Sequence, residues 1–215
     1  MRIALAQLNL LVGDVKGNAD RIIDAAIMAR DEQQADLIVF PELTLTGYPP
    51  EDLLLRPELI ERVKLEIARL CEEIDGITAI FGYPRQGEDG LYNSAGVLQN
   101  GDIIAEYDKA LLPNYSVFDE KRYFTNGEDA CVVDICGIRV GITICEDIWY
   151  NEPAQRAKGA GAQLLVNLNA SPFHTGKPTE REQLVSRRAR ENGLPVVYVN
   201  LVGGQDQLVS TAAPS

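Results

Sequence analysis

Histidine is almost missing from this sequence, and cysteine is scarce. The 215 residues contain one histidine, His174, and four cysteines, which are Cys71, Cys131, Cys136 and Cys145. No two cysteines have Cys-x-x-Cys spacing, so the ligand pattern of a zinc site is lacking. A cysteine protease activates its thiol with a histidine, and His174 falls in a predicted loop with no second partner. Both classes of protein are therefore disfavoured.

Basic charge and long apolar runs are also in short supply. Lys and Arg number 20 against 32 Asp and Glu, so the net charge is −12 at pH 7. A surface that binds phosphate groups needs a basic stripe, so we expect neither nucleic acid nor an anionic membrane as a partner. No window has the apolar length of a membrane span, and the first residues lack the pattern of a secretory signal. We therefore expect a cytoplasmic protein with free thiols.

The pattern that is present is that of one layered α/β domain. A chain of this length with 46% apolar residues can bury a full core. Alternating or buried apolar runs predict strands at 3–10, 36–40, 77–82, 93–98, 102–107, 131–135, 139–145, 164–168 and 195–201. Helical spacing predicts helices at 18–34, 57–73, 153–159 and 179–192, the first capped by Asn18. Hairpins combined with crossover connections indicate mixed sheets with helices outside them.

Three chemically useful side chains each follow a predicted strand: Glu42, Lys109 and Cys145. Singly, each has an ordinary explanation, which is a solvated charge for the first two and a small buried thiol for the third. A cysteine nucleophile must become a thiolate, and the adjacent Glu146 and Asp147 should raise its pKa instead of lowering it. Without a histidine, a carboxylate base acting with a cation is the consistent alternative.

Three short segments resemble the Glu-Lys-Cys signature of the nitrilase superfamily of carbon–nitrogen hydrolases. They are Phe40-Pro41-Glu42, Tyr107-Asp108-Lys109 and Ile144-Cys145-Glu146-Asp147. The resemblance implies an αββα sandwich with mixed sheets and outer helices. It also implies that Glu42 is the general base, Cys145 the nucleophile and Lys109 the cation that stabilises the tetrahedral oxyanion.

Longer segments make the resemblance more particular. Residues 111–124, 168–173 and 199–206 are similar to the amino-terminal glutaminase domains of glutamine-dependent NAD synthetases, and the similarity runs from Met1 to about Val209. The implied reaction is hydrolysis of L-glutamine to glutamate and ammonia through a cysteine thioester.

The same resemblance implies a set of substrate-binding residues. Tyr115, Ser171 and Lys177 match positions that hold the α-amino and α-carboxylate groups of glutamine. The residues implied to line the pocket are Tyr48, Phe118, Glu120 and Trp149. Core packing is the alternative for Tyr48 and Trp149, and a solvent-exposed loop charge is the alternative for Lys177.

The resemblance also defines what we expect outside this domain. Residues 1–209 should form an incomplete glutaminase domain. Residues 210–215 depart from the family pattern, and we hypothesise that a frameshift produced them. The Ser-Gly-Gly-x-Asp-Ser loop of a synthetase domain does not occur. We therefore expect no cofactor in this chain, because ATP, Mg and deamido-NAD would bind the absent synthetase domain. We expect that domain and a second copy of the chain as partners.

Two other functions remain open at this point. The chain could be a free-standing hydrolase of another small amide, although the segment 114–124 argues against that. It could also be a truncated, inactive fragment whose role is association. Release of glutamate and labelling of Cys145 by a glutamine analogue would distinguish these possibilities.

Overall fold

The structure is a computed structural model that describes residues 1–115, 118–173, 176–205 and 208–211, without the side chains of Lys177 and Pro178. Residues 212–215 of the predicted tail lie outside the described residues, and so does the predicted binding contact of the Lys177 side chain.

The first sheet contains five strands in the order β1-β2-β3-β4-β5. Their bounds are Ile3–Leu5, Leu37–Val39, Thr78–Gln86, Leu91–Gln99 and Asp102–Asp108. The first three strands are parallel, and β4 runs antiparallel to both β3 and β5. The turn between β4 and β5 is made by Asn100 and Gly101, both with positive φ. These are the residues that a two-residue hairpin of the favoured twist requires.

The second sheet contains four strands in the order β6-β7-β8-β9. Their bounds are Cys131–Ile135, Ile138–Ile144, Leu164–Asn169 and Val196–Asn200. Strands β7, β8 and β9 are parallel, and β6 forms an antiparallel hairpin with β7. A separate small hairpin joins β10 (Gly203–Gln205) to β11 (Leu208–Ser210). That hairpin was not predicted, because three-residue strands in a glycine-rich stretch show no periodicity.

The helices are α1 (Val15–Asp31), α2 (Pro57–Glu73), α3 (Asn151–Gly159) and α4 (Lys177–Asn192). Helix α2 has the predicted bounds, with Pro57 in its first turn, where a missing N–H costs nothing. Helix α1 begins earlier than predicted, because Asp14 is its cap and accepts from the Gly17 N–H at 3.0 Å. Asn18 is instead buried within the helix and donates to the Leu11 carbonyl at 2.8 Å.

Two strands have bounds that differ from the prediction for a physical reason. Strand β1 stops at Leu5 because its partner β2 is only three residues long and ends before Pro41. Strand β3 continues beyond Gly82 to Gln86, through Pro84. A proline is tolerated there because β2 pairs with β3 only as far as Ile80, so one side of the later residues has no strand to receive an N–H.

Three apolar layers hold the sheets and helices together. The central layer lies between the two sheets and contains side chains such as Val39 and Val97 from the first and Val140 and Val166 from the second. Helices α1 and α2 pack on the outer face of the first sheet. Helices α3 and α4 pack on the outer face of the second sheet. The predicted αββα sandwich is therefore confirmed. Within the described ranges, no helix has the length and apolar character needed to cross a membrane.

The outer layer of the first sheet should contribute strongly to stability. Phe81 is fully buried in it, so Phe81→Ala should lower the free energy of unfolding by about 3–5 kcal/mol through lost burial and a cavity. Leu65 lies on α2 and is 69% exposed, so Leu65→Ala should change it by less than about 0.5 kcal/mol. Urea unfolding of both variants measures the difference, and equal losses would contradict this description of the core.

Candidate active site

The topology brings separated strand ends to one place. Strands β2 and β5 point the same way in the first sheet, as do β7 and β8 in the second. Glu42, Lys109, Cys145 and Ala170 each lie at, or within a few residues of, the carboxyl end of one of these strands. The Ala170 N–H donates to Glu42 Oε2 at 3.1 Å, which joins the ends of β8 and β2. The site therefore lies between the two sheets.

Glu42 is fully buried and held on both oxygens. Its Oε1 accepts from Lys109 Nζ at 2.7 Å and from Asn93 Nδ2 at 2.8 Å. Its Oε2 accepts from the Ala170 N–H. Because a carboxylate oxygen can accept more than one hydrogen bond, Oε2 retains capacity for a further proton donor.

Lys109 is also fully buried, and it lies between two carboxylates. Its Nζ contacts Glu42 and donates to the two oxygens of Glu120 at 2.9 and 2.8 Å. Burial alone would lower the pKa of Lys109, but the charges of Glu120 and Glu42 outweigh it and hold that pKa well above its ordinary value. The ammonium group is therefore charged throughout the neutral pH range.

Glu120 was predicted only as a pocket residue, and the structure also places it in the ion pair with Lys109. It begins a short 3-10 turn, Glu120–Arg122, and its Oε1 accepts from the Tyr48 hydroxyl at 3.3 Å. Burial raises the pKa of Glu120 to about 7, against the lowering effect of the Lys109 ammonium. Glu120 therefore exchanges a proton close to neutral pH.

Cys145 begins a short 3-10 helix, Cys145–Trp149, directly after β7. Its φ of 45° lies in the left-handed region, which costs a residue other than glycine about 1 kcal/mol or more. Burial raises the pKa of the thiol well above its ordinary value, and Glu42 raises it further, against the Lys109 ammonium. The direction predicted from the acidic neighbours is right, although Glu146 contributes less than Glu42. The thiol is therefore neutral until a base removes its proton.

The predicted pocket residues line two separate cavities. Tyr48, Phe118 and Glu120 line a cavity of about 240 Å³. Tyr115 lines a larger one of about 430 Å³, together with Glu146. The Tyr115 hydroxyl donates to Glu146 Oε2 at 2.8 Å, although its side chain is 54% exposed. The Tyr115 ring also meets the Phe118 ring edge-on, with 5.8 Å between their centroids.

Ser171 and Trp149 lie in different surroundings. The Ser171 N–H donates to Asn200 Oδ1 at 2.9 Å, and its hydroxyl accepts from Arg181 at 3.2 Å. Trp149 is half-buried against the outer layer of the second sheet, so the structure packs it with the α3 and α4 side chains. The predicted role of Trp149 in the pocket remains a prediction.

Sequence reasoning missed four groups at this site. Asn93 and the Ala170 N–H hold Glu42, and Asp147 accepts hydrogen bonds from Tyr107 of the first sheet and Ile144 of the second. Burial raises the pKa of Tyr198 far above its ordinary range, the Arg181 guanidinium over its ring opposes this, and the charges of Cys145 and Glu42 add to it. Ala170 could have been found by the strand-end rule that selected Glu42. The other three could not, because a polar or aromatic residue near a strand also fits ordinary packing.

The comparisons with known proteins agree with this geometry. The sequence profile of the family "Carbon-nitrogen hydrolase" matches residues 2–213. The chain is 47% identical to the glutamine-dependent NAD(+) synthetase of Xanthomonas campestris over 99% of its own length and 39% of that protein. It is 46% identical to that of Thermotoga maritima, covering 37% of it. The chain therefore spans about two fifths of the length of these curated relatives.

Solved structures give the same result. The glutamine-dependent NAD+ synthetase from Acinetobacter baumannii, in complex with ADP, superposes with a TM-score of 0.94 at 43% identity, over 98% of this chain and 40% of that one. A mutant of the amidase from Nesterenkonia sp. superposes with a TM-score of 0.89 at 29% identity, over 99% of this chain and 80% of that one. That amidase carries the acetamide moiety of fluoroacetamide on its active-site cysteine.

The raised pKa of Glu120 predicts a pH dependence of stability. Its pKa is about 7 in the folded chain against an ordinary 4.5, so the folded state holds a proton that the unfolded state releases. Its contribution to stability is therefore full below about pH 4.5 and is lost as the pH rises through about 7. The free energy of unfolding of the wild type, minus that of Glu120→Gln, should fall across this range in urea titrations. A constant or rising difference would contradict the assignment.

Proposed function

The chain belongs to the carbon–nitrogen hydrolase family, and on that premise we propose that it hydrolyses the side-chain amide of L-glutamine to glutamate and ammonia. The observation that carries the proposal is the buried contact of Lys109 with Glu42, at 2.7 Å, beside the Cys145 thiol. A base, a cation and a nucleophile are the groups that an amide hydrolase without a catalytic histidine requires.

The first half of the reaction forms a thioester. Oε2 of Glu42 takes the thiol proton as Cys145 Sγ attacks the amide carbon of glutamine. The Lys109 ammonium stabilises the oxyanion that develops on the amide oxygen, and burial strengthens this interaction. Glu42 then returns the proton to the amide nitrogen, the carbon–nitrogen bond breaks and ammonia leaves.

The second half of the reaction consumes water. Glu42 takes a proton from a water molecule whose oxygen attacks the thioester carbon, and Lys109 again stabilises the oxyanion. The carbon–sulfur bond breaks, the thiol recovers its proton from Glu42 and glutamate is released. Glu42 therefore serves as base and acid in both halves, which fits a carboxylate that two hydrogen bonds fix at one oxygen and one at the other.

The surrounding polar groups suit an amino-acid substrate. Glu146 and the Tyr115 hydroxyl line the larger cavity and offer acceptors to an α-ammonium group. Ser171, beside the buried Arg181 guanidinium, offers a donor to an α-carboxylate. The resemblance adds Lys177 to the carboxylate side and Trp149 to the pocket wall. A zwitterion is held by groups of opposite charge at its two ends.

The names of the relatives support a destination for the ammonia. They are glutamine-dependent NAD synthetases more than twice as long as this chain. We propose that the ammonia serves ATP-dependent amidation of deamido-NAD in a synthetase domain, where ATP and Mg bind. We propose that this takes place in the cytoplasm and in a homo-oligomer.

Cys145→Ala provides the direct test of the reaction. The variant should lose glutamate release by about 10⁴-fold or more, because it lacks the nucleophile. Mass spectrometry of wild type quenched during turnover should find a glutamyl adduct on Cys145 and on no other cysteine. A panel of small amides tests the alternative suggested by the amidase, and a preference for a non-amino-acid amide over glutamine would overturn the proposed substrate.

Tyr115→Phe and Ser171→Ala test the substrate-binding residues. Each change removes a hydroxyl that holds the ends of the substrate and not its reacting amide. We expect KM for glutamine to rise about 3- to 30-fold with kcat nearly unchanged, since ground state and transition state lose the same contact. Initial rates over a range of glutamine concentrations separate the two parameters. A fall in kcat at constant KM would assign these hydroxyls to the chemistry instead.

A further inference from the structure

The Asp147 carboxylate is a fully buried acceptor of three hydrogen bonds. Oδ1 accepts from the Leu111 N–H at 2.9 Å. Oδ2 accepts from the Ile144 N–H at 2.9 Å and from the Tyr107 hydroxyl at 2.8 Å. In the part of the chain that the structure describes, no Lys or Arg lies within ion-pair distance of it. Its negative charge is therefore compensated by hydrogen-bond donors and not by a contacting cation.

These three donors belong to the two strand ends that carry the reacting side chains. Tyr107 and Leu111 lie two residues before and two residues after Lys109, at the end of β5. Ile144 directly precedes Cys145, at the end of β7. One carboxylate therefore joins the backbone on both sides of Lys109 to the backbone next to Cys145, across the interface between the two sheets.

Both reacting residues need such support. Cys145 has the unfavourable φ of 45°, which persists only where surrounding contacts fix it. Lys109 already has two carboxylate partners, so the distance from its ammonium to the thiol depends on where its backbone is held. A misplacement of about 1 Å between reacting groups can cost about 100-fold in rate.

Stability alone does not account for an anion at this position. Burial raises the pKa of Asp147 to about 6, against the lowering effect of the Ile144 N–H. The charged form is therefore destabilised relative to water. An apolar replacement would leave two backbone N–H groups and the Tyr107 hydroxyl without an acceptor, so Asp147 also stabilises the local structure. Its three contacts also fix the end of β5 relative to the end of β7.

We propose that Asp147 is a positioning residue that fixes Cys145 and Lys109 relative to each other by joining the ends of β5 and β7. The proposal rests on the proposed function, because it assigns these two side chains to one reaction. It makes Asp147 necessary for the rate of the chemical step and not for substrate affinity.

Asp147→Asn is the main variant, because it keeps the volume of the side chain. Its Oδ1 can still accept from Leu111, but its Nδ2 presents a donor to the Ile144 N–H, so the connection to Cys145 is lost. Tyr107→Phe removes one of the three donors and leaves both backbone contacts. Thr143→Val is the matched control, since its buried hydroxyl donates to the Val166 carbonyl and joins β7 only to β8.

Three measurements are made on each protein. They are kcat and KM for glutamine, the rate of Cys145 alkylation by iodoacetamide at pH 7.5, and the melting temperature. For Asp147→Asn we expect kcat to fall about 30-fold or more, KM to stay within about threefold, and alkylation to slow about 10-fold. Tyr107→Phe should show about 2- to 5-fold losses of kcat and alkylation rate. Thr143→Val should change the melting temperature alone.

The direction of the alkylation change separates positioning from simple charge removal. Loss of a nearby negative charge by itself would favour the thiolate and speed alkylation. Faster or unchanged alkylation in Asp147→Asn would therefore overturn the proposal, as would a lower melting temperature with normal kcat. If Asp147→Asn does not fold, Tyr107→Phe decides, and wild-type values of kcat and alkylation rate would overturn the proposal.

The two proposals fail in different ways. A wild-type chain that does not hydrolyse glutamine would overturn the proposed function. The alkylation rates of the same variants would still decide whether Asp147 positions Cys145.

Discussion

The buried Lys109 ammonium is the interaction on which the site depends. An isolated charge in this interior would be strongly destabilised, and two buried carboxylates without a cation would repel each other. Lys109 contacts Glu42 at 2.7 Å and Glu120 at 2.8 Å. Its charge is therefore paired, and the repulsion between the two carboxylates is reduced. Together these three groups form a buried cluster in which the single positive charge is shared by two carboxylates, and the raised pKa of Glu120 reduces the excess of negative charge. The thiol of Cys145 lies in the field of this cluster and is neutral at rest, and in the proposed mechanism Glu42 removes its proton.

Both sheets contribute to the site. The base and the cation come from the ends of β2 and β5 in the first sheet, and the thiol comes from the end of β7 in the second. The strands β2 and β5 are parallel only because β4 reverses direction between β3 and β5. The Asn100–Gly101 turn is therefore part of the arrangement that places Lys109 beside Glu42, although it lies at the far end of the strand.

The sequence allowed prediction of the features that depend on local patterns. The layered α/β class, most strand positions and the bounds of α2 follow from periodicity, turn residues and a proline in the first helical turn, whereas the αββα arrangement was implied by the family resemblance. The convergence of Glu42, Lys109 and Cys145 follows from their positions after strands. The contacts of Asn93 with Glu42 and of Asp147 with Tyr107 and Leu111 were not predictable, because these partners are between 36 and 51 residues apart in the chain and meet only when the sheets form and pack. Bounds such as those of β1 depended on the length of a neighbouring strand, which periodicity does not report.

Because the site is divided between the two sheets, its assembly depends on how far the chain has folded. A folding intermediate that has formed only the first sheet holds a paired lysine and glutamate without a nucleophile. One that has formed only the second sheet holds an ordinary thiol without a base. On the proposed mechanism, the chain can hydrolyse amides only after the apolar faces of the two sheets have packed together and excluded water, and a partly folded chain cannot.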